Sequence, residues 1–254
     1  MTDPTPNVPV LTRSSFDAVI FDMDGVVTDT AGLHGKAWKV MFDRFLEEYA
    51  EKSGDSQEPF DLGRDYLDYV DGKPRFDGVR GFLASRSISL PEGSLDDEPG
   101  TGSVYALGNW KNRLFGRLLE EEGAVAYPGT VEFIHKLHDG GFKTAIISSS
   151  KNAETILRSA EALELFEAKV DGVDSLELGI DGKPAPDIFL SAAGELGVEV
   201  SRTVVVEDAI SGVQAGRAGN FGLVIGVDRG GNREALLANG ADVVVADLDE
   251  VAVE

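Results

Sequence analysis

The chain has 254 residues, enough to bury a core without disulfides or metal staples, and its 42% hydrophobic and 27% charged residues are those of a globular protein. With 23 Lys and Arg against 45 Asp and Glu, the formal net charge is −22. That balance excludes nucleic acid and anionic membrane surfaces as expected partners, but not a phosphorylated small molecule, whose charge a metal or a few local cations can meet.

Cysteine is absent, which removes disulfides, thiolate metal sites and cysteine nucleophiles, and the only histidines are His34, His135 and His138. No run of about eighteen apolar residues is present. Met1 to Ser15 is polar and proline-rich without an apolar signal core, so residues 1–15 are expected to form a loose tail on a cytoplasmic protein. Ala18–Phe21 is short, continuous and apolar, which predicts a strand buried on both faces of a parallel sheet, ending in the turn Asp22-Met23-Asp24-Gly25.

From Gly32 to Lys52, Trp38, Met41, Phe42, Phe45, Leu46 and Tyr49 recur at helical spacing opposite Asp43, Glu47, Glu48 and Glu51. Further helices are predicted over Gly63–Val70, Asp77–Ser85 and Tyr105–Glu122, with a loop over Pro91–Gly102. Beyond Tyr127-Pro128-Gly129 the texture alternates. Helices are predicted at Thr130–Asp139, Asn152–Leu163, Pro186–Leu196, Ala209–Ala218 and Asn232–Ala238. Strands are predicted at Lys143–Ile147, Val170–Val173, Thr203–Val206, Gly222–Val227 and Val243–Ala246. This order predicts an α/β core with a parallel sheet, built from residues 16–31 and 124–254, and an α-helical cap of residues 32–123 inserted after the first strand.

Ligands of open α/β sheets sit at the carboxyl ends of the strands. The first strand ends in Asp22-x-Asp24-Gly25 and Lys143–Ile147 ends in Ser148-Ser149-Ser150-Lys151-Asn152. A loop then carries Gly182-Lys183-Pro184-Ala185-Pro186-Asp187, and Thr203–Val206 ends in Glu207-Asp208. Each motif alone is commonplace as a turn or a helix start. Together they suit phosphoryl transfer. One carboxylate can attack phosphorus and a second can protonate the leaving oxygen. A hard cation such as Mg²⁺ can neutralise the crowd, with Ser148 and Lys183 for the phosphate oxygens. Gly212, Gly216 and Gly219 have the wrong spacing for a dinucleotide fingerprint and are expected to serve helix packing. His135 and His138 are expected at the surface.

The four segments resemble the four motifs of the haloacid dehalogenase (HAD) phosphotransferase superfamily, which implies a HAD-like Rossmannoid core. The resemblance implies that Asp22 is the nucleophile, Asp24 the general acid/base, and Ser148 and Lys183 the phosphoryl-binding pair. It places Mg²⁺ on Asp22, the main-chain carbonyl of Asp24, and Asp208, with Glu207 beside it. Asp22-Met23-Asp24-Gly25-Val26-Val27-Thr28-Asp29-Thr30, followed by His34 and Trp38, resembles the β-phosphoglucomutase branch, as do Ser148-x-Ser150-Lys151-Asn152 and Lys183-Pro184-Ala185-Pro186-Asp187. Gly72-Lys73-Pro74-Arg75 resembles the cap segment whose arginine grips a distal phosphate, although Lys73-Pro74 departs from the usual residues. Lys111-Asn112 resembles a cap pair near the sugar. Substrate-binding residues implied are Thr30, His34, Trp38, Gly72, Arg75, Lys111, Asn112, Ser149, Ser150, Lys151 and Asn152. The activity implied is interconversion of β-D-glucose 1-phosphate and glucose 6-phosphate through an aspartyl phosphate, with β-glucose 1,6-bisphosphate as activator and a monomer as the default state. The alternatives are a phosphohydrolase on a small sugar phosphate and a non-catalytic sugar-phosphate-binding module.

Overall fold

The computed structural model of the protein describes residues 10–254, so residues 1–9 of the expected tail lie outside the described residues. The chain opens with β1 (Val10–Leu11) and β2 (Ala18–Asp22). Three helices follow, α1 (Ala31–Ser53), α2 (Arg75–Ser85) and α3 (Val104–Glu122). The remainder alternates: α4 (Pro128–Asp139), β3 (Lys143–Ile147), α5 (Ala153–Ser159), β4 (Ala168–Val170), α6 (Gly172–Leu178), α7 (Asp187–Leu196), β5 (Thr203–Glu207), α8 (Ile210–Ala218), β6 (Leu223–Val227), α9 (Arg233–Asn239), β7 (Val243–Val245) and β8 (Ala252–Val253). Two compact units result. Thr30–Gly123 form one, and the residues up to Asp29 with Ala124–Glu254 form the other. No helix among the described residues is long and apolar enough to cross a membrane.

The main sheet of the α/β unit has six parallel strands in the order β4-β3-β2-β5-β6-β7. The chain runs outward from β2 through β3 to β4, then returns to β5 on the other side. The order therefore reverses between β2 and β5, where open sheets leave a crevice for ligands. β2 is buried along its whole length, as a central strand with helices on both faces must be. Phe21 points to one face, against Phe133 and Phe166. Ala18 and Ile20 point to the other, in a layer with Ile188, Phe189, Val205 and Val213.

The helical unit has its own core. Trp38, Met41, Phe42, Phe45 and Leu46 of α1 meet Phe60, Phe82, Leu83 and Leu107. Phe42 lies 4.0 Å from Phe82 and 5.1 Å from Phe60, ring centre to ring centre. Asp65, buried here, accepts from the Asp61 N–H at 3.0 Å, from Arg86 Nη2 at 2.6 Å and from Arg64 Nε at 3.2 Å. Burial pushes its carboxyl up, but these donors hold it below its ordinary range.

Four details differ from the sequence expectation. Residues 10–15 do not belong to a loose tail: Val10 and Leu11 pair with Ala252 and Val253, and Leu11 is fully buried. Gly63–Val70 is helical from Arg64 but widens over Tyr66–Val70, after a turn in which Asp61 and Asp65 accept from nearby main-chain N–H groups. The short strand lies at Ala168–Val170 and is followed by α6, which is started by Asp171 and Asp174 capping each other's backbone. The helix expected over Asn152–Leu163 ends at Ser159, with a separate turn at Leu163–Leu165.

Candidate active site

Alternation along β2 carries the row Ala18, Ile20 on to Asp22 at the strand end, and alternation along β5 carries Val205 on to Glu207. In register Phe21 faces Val206, so these two carboxylates emerge side by side. Lys183 enters from the loop before α7. Its Nζ donates to Asp22 Oδ1 at 2.5 Å and to Glu207 Oε1, and sits 5.5 Å from the centre of the Phe189 ring. Lys183 and Glu207 are fully enclosed and Asp22 nearly so. The Lys183–Pro184 peptide bond is cis.

Burial pushes the Asp22 carboxyl well above its ordinary range, with Glu207 and Asp24 adding to the rise and Lys183 opposing it. Burial works against the Lys183 charge, but Asp22 and Glu207 outweigh it and hold the ammonium protonated above its ordinary range. Two carboxyl groups thus crowd one ammonium, and the half-buried Asp208 adds a third beside them. One oxygen each from Asp22, Glu207 and Asp208 lie within 4.8 Å of one another. An all-carboxylate donor set suits a hard divalent cation. Glu207 has both oxygens engaged, Oε1 with Lys183 and Oε2 with the Ala209 N–H at 2.8 Å. Glu207 therefore helps to hold Lys183 while standing in the same group of three carboxylates. The carboxylate of Asp24 is outside this group of three.

Two glycines make the packing possible. Gly25 has φ +81°, and a Cβ there would lie 1.8 Å from Asp208 Oδ2. Gly212 is not a dinucleotide element: a Cβ on it would lie 1.7 Å from Glu207 Oε1. Gly216 does serve helix packing, against Val205 and Val224.

Ser148 follows Ile147, the register partner of Asp22, and is buried. Its hydroxyl accepts from the Ser150 N–H at 3.0 Å, and the Ser150 hydroxyl accepts from the Asn152 N–H at 3.1 Å. The Gly172 N–H ties this loop down through Ser150 O at 3.1 Å. Ser149 and Asn152 are half-buried in it and Lys151 is exposed.

In the helical unit, Lys111 is buried, with Nζ 2.5 Å from Nδ1 of His34. A charged Lys111 would donate to Nδ1, which requires the His34 tautomer that carries its proton on Nε2. The imidazole stacks on Phe115 at 4.0 Å. Trp38 lies on the buried face of α1 at 3% exposure, stacked on Phe42. The Lys111 ammonium lies 4.9 Å from the centre of its ring. Thr30 is fully buried before α1, and Gly72 takes φ +65°. Asn112 follows Lys111 on α3, half-buried.

Arg75 lies over Phe76 at 4.6 Å, with Nη2 3.4 Å from Asn109 Oδ1. Its Nε is buried without a partner, and burial lowers its pKa to about 10. No carboxylate among the described residues pairs with it.

Sequence reasoning missed Arg229 and Asn232, in the turn after β6. Arg229 Nε donates to Gly25 O at 2.9 Å, and Asn232 Nδ2 donates to Asp208 O at 3.3 Å. The strand-end rule applied to β6 would have found them.

The family model for haloacid dehalogenase-like hydrolases matches residues 16–220. The chain belongs to the haloacid dehalogenase-like hydrolase family. It is 48% identical over 237 residues to a β-phosphoglucomutase of Mycobacterium tuberculosis, covering 92% of this chain and 90% of that one. It is 32% identical over 242 residues to a β-phosphoglucomutase of Bacillus subtilis, covering 93% and 92%. The solved β-phosphoglucomutase of Clostridium difficile shares the fold, with a TM-score of 0.70 at 24% identity over 92% of each chain. This HAD-family chain is therefore an enzyme of a phosphoryl-transfer family.

Proposed function

We propose that the chain is a β-phosphoglucomutase, converting β-D-glucose 1-phosphate to glucose 6-phosphate by way of a phosphoryl group carried on Asp22. The observation that carries phosphoryl transfer is the enclosed Asp22–Lys183–Glu207 set beside Asp208. Lys183 holds Oδ1 of Asp22, which leaves Oδ2 to attack phosphorus. The new Oδ2–P bond forms as the P–O bond of β-glucose 1,6-bisphosphate breaks, and the leaving oxygen takes a proton from Asp24. Asp24 then accepts the proton of the incoming sugar hydroxyl as the phosphoryl group passes to it. Ser148 and Lys183 donate to the transferring oxygens. Asp22, Asp208 and the main-chain carbonyl of Asp24 would hold Mg²⁺, which supplies neutralisation of the carboxylates and of the phosphoryl charge.

A mutase, unlike a hydrolase, needs a second anion site for the phosphate that is not being transferred. Arg75 supports that reading. It is a guanidinium kept largely out of water, without a carboxylate partner among the described residues, in a chain of net charge −22. Such a group gains on meeting an anion. His34 and Lys111 are assigned to the sugar.

Phosphorus NMR with Mg²⁺ and β-glucose 1-phosphate, with and without a trace of bisphosphate, tests this. Glucose 6-phosphate accelerated by the trace, with little free phosphate, is expected. Inorganic phosphate as the main product would make the chain a phosphohydrolase. No turnover of any ester would leave a binding module.

A further inference from the structure

We infer that Arg229 is a positioning residue of the phosphoryl-transfer site, holding the Asp22–Asp29 loop against Asp208. This rests on the phosphoryl-transfer reading above. The turn after β6 is closed by Asp228, whose Oδ1 accepts from Gly231 N at 2.6 Å and Asn232 N at 2.9 Å. From that turn the Arg229 guanidinium donates from Nε to Gly25 O at 2.9 Å. Its Nη1 donates to Ala246 O at 3.2 Å and to Asp247 Oδ2 at 3.0 Å.

Its guanidinium carbon lies over the Tyr127 ring, 3.8 Å from the ring centre. Tyr127 in turn belongs to the same loop's supports: its N–H donates to Val27 O at 2.9 Å and its hydroxyl to Asp29 Oδ1 at 3.0 Å. Arg229 thus grips the loop at Gly25 and leans on the ring that grips it at Val27 and Asp29. From the same turn Asn232 holds the main chain of Asp208. The two segments so braced are those that meet where Gly25 lies against the Asp208 carboxylate, with no room for a Cβ. A small rotation of the Gly25 peptide would unseat Asp208.

A purely structural arginine would be better satisfied. Arg229 keeps Nη2 buried with no partner, and its ion pair with Asp247 is partly solvated, the kind worth little by itself. What it uniquely supplies is a donor fork on a flat face, which lysine lacks.

The test compares the intact wild type with Arg229→Ala and Arg229→Lys, well below their melting temperatures, using acetyl phosphate with Mg²⁺. Arg229→Ala is expected to lower kcat by about 10- to 100-fold with KM changed less than about threefold, the usual effect of losing an outer support of a metal site. Calorimetric Mg²⁺ titration should weaken by a similar factor. Arg229→Lys should stay impaired, whereas millimolar methylguanidinium should restore much of the Arg229→Ala activity. If Arg229→Ala fails to fold, Arg229→Gln carries the same comparison.

A lowered melting temperature with kcat and Mg²⁺ affinity unchanged would overturn the inference, as would full activity of Arg229→Lys. Wild-type protein that turns over no ester, but loses Mg²⁺ affinity on Arg229→Ala, would overturn the functional reading and keep the positioning role.

Discussion

Gly212→Ala sets two effects against each other. Gly212 lies inside α8 with ordinary helical backbone, so propensity alone favours alanine by about 1 kcal/mol. The added Cβ, however, would lie 1.7 Å from Glu207 Oε1 and 1.9 Å from its Cδ. An exposed glutamate would swing away at little cost. Glu207 is fully buried and holds both Lys183 and the Ala209 N–H. Displacing it strips a buried ammonium of one of its two carboxylates, a loss of about 3–5 kcal/mol. The net expectation is a destabilisation of about 2–4 kcal/mol. Gly194→Ala in α7, with nothing within 4 Å of its Cβ, is the control and should gain about 1 kcal/mol. Urea unfolding reads both. In a Glu207→Ala background, where the space is vacated, Gly212→Ala should become neutral or stabilising, a coupling of about 3 kcal/mol. Gly212→Ala as stable as Gly194→Ala would refute the argument that the Glu207 carboxylate occupies this space.

Three further outcomes follow from the geometry. Arg75→Ala should weaken turnover of the bisphosphate far more than that of acetyl phosphate, while Arg75→Met should unfold at the same urea concentration as wild type or higher; equal kinetic losses would remove the distal-phosphate role. Asp65→Asn should cost about 2–4 kcal/mol by unpairing Arg86. Because the folded carboxyl titrates below its unfolded value, that difference should be full above about pH 5 and shrink as pH falls below about 4; a pH-independent difference would refute it. Leu11→Ala should cost about 2–4 kcal/mol in thermal unfolding, since Leu11 is fully buried, whereas a loose tail would show less than about 0.5 kcal/mol.

The central strands were legible because burial on both faces writes a continuous apolar run, as in Ala18–Phe21 and Val204–Val206. β1 and β8 were not, because two paired residues each leave no periodic trace. α6 exposes Val173, Leu176 and Leu178, so it has no apolar face to read, and only the Asp171-x-x-Asp174 cap marked it. The motif residues could be named from strand ends. That Glu207 pairs with Lys183 depends on β2–β5 register and on the loop before α7, which chain order alone does not specify. The packing of Trp38 is a related case: a family position says which residue occurs there, not which face of α1 it turns inward.

The most central strand is also among the first to be made. β2 pairs with β3 and with β5, and its partner Thr203 follows Ala18 by about 185 residues. At about 5–20 residues per second, a ribosome needs roughly 10–40 s to supply that partner. Throughout this interval Ala18–Phe21, wholly buried in the finished fold, has no neighbour along the β5 edge. Thr30–Gly123 is contiguous and contains its own aromatic cluster, so its contacts are available much earlier in synthesis. Inserting a helical unit after the first strand thus sets a vectorial order of assembly, in which local contacts form early and the sheet that carries Asp22 closes late.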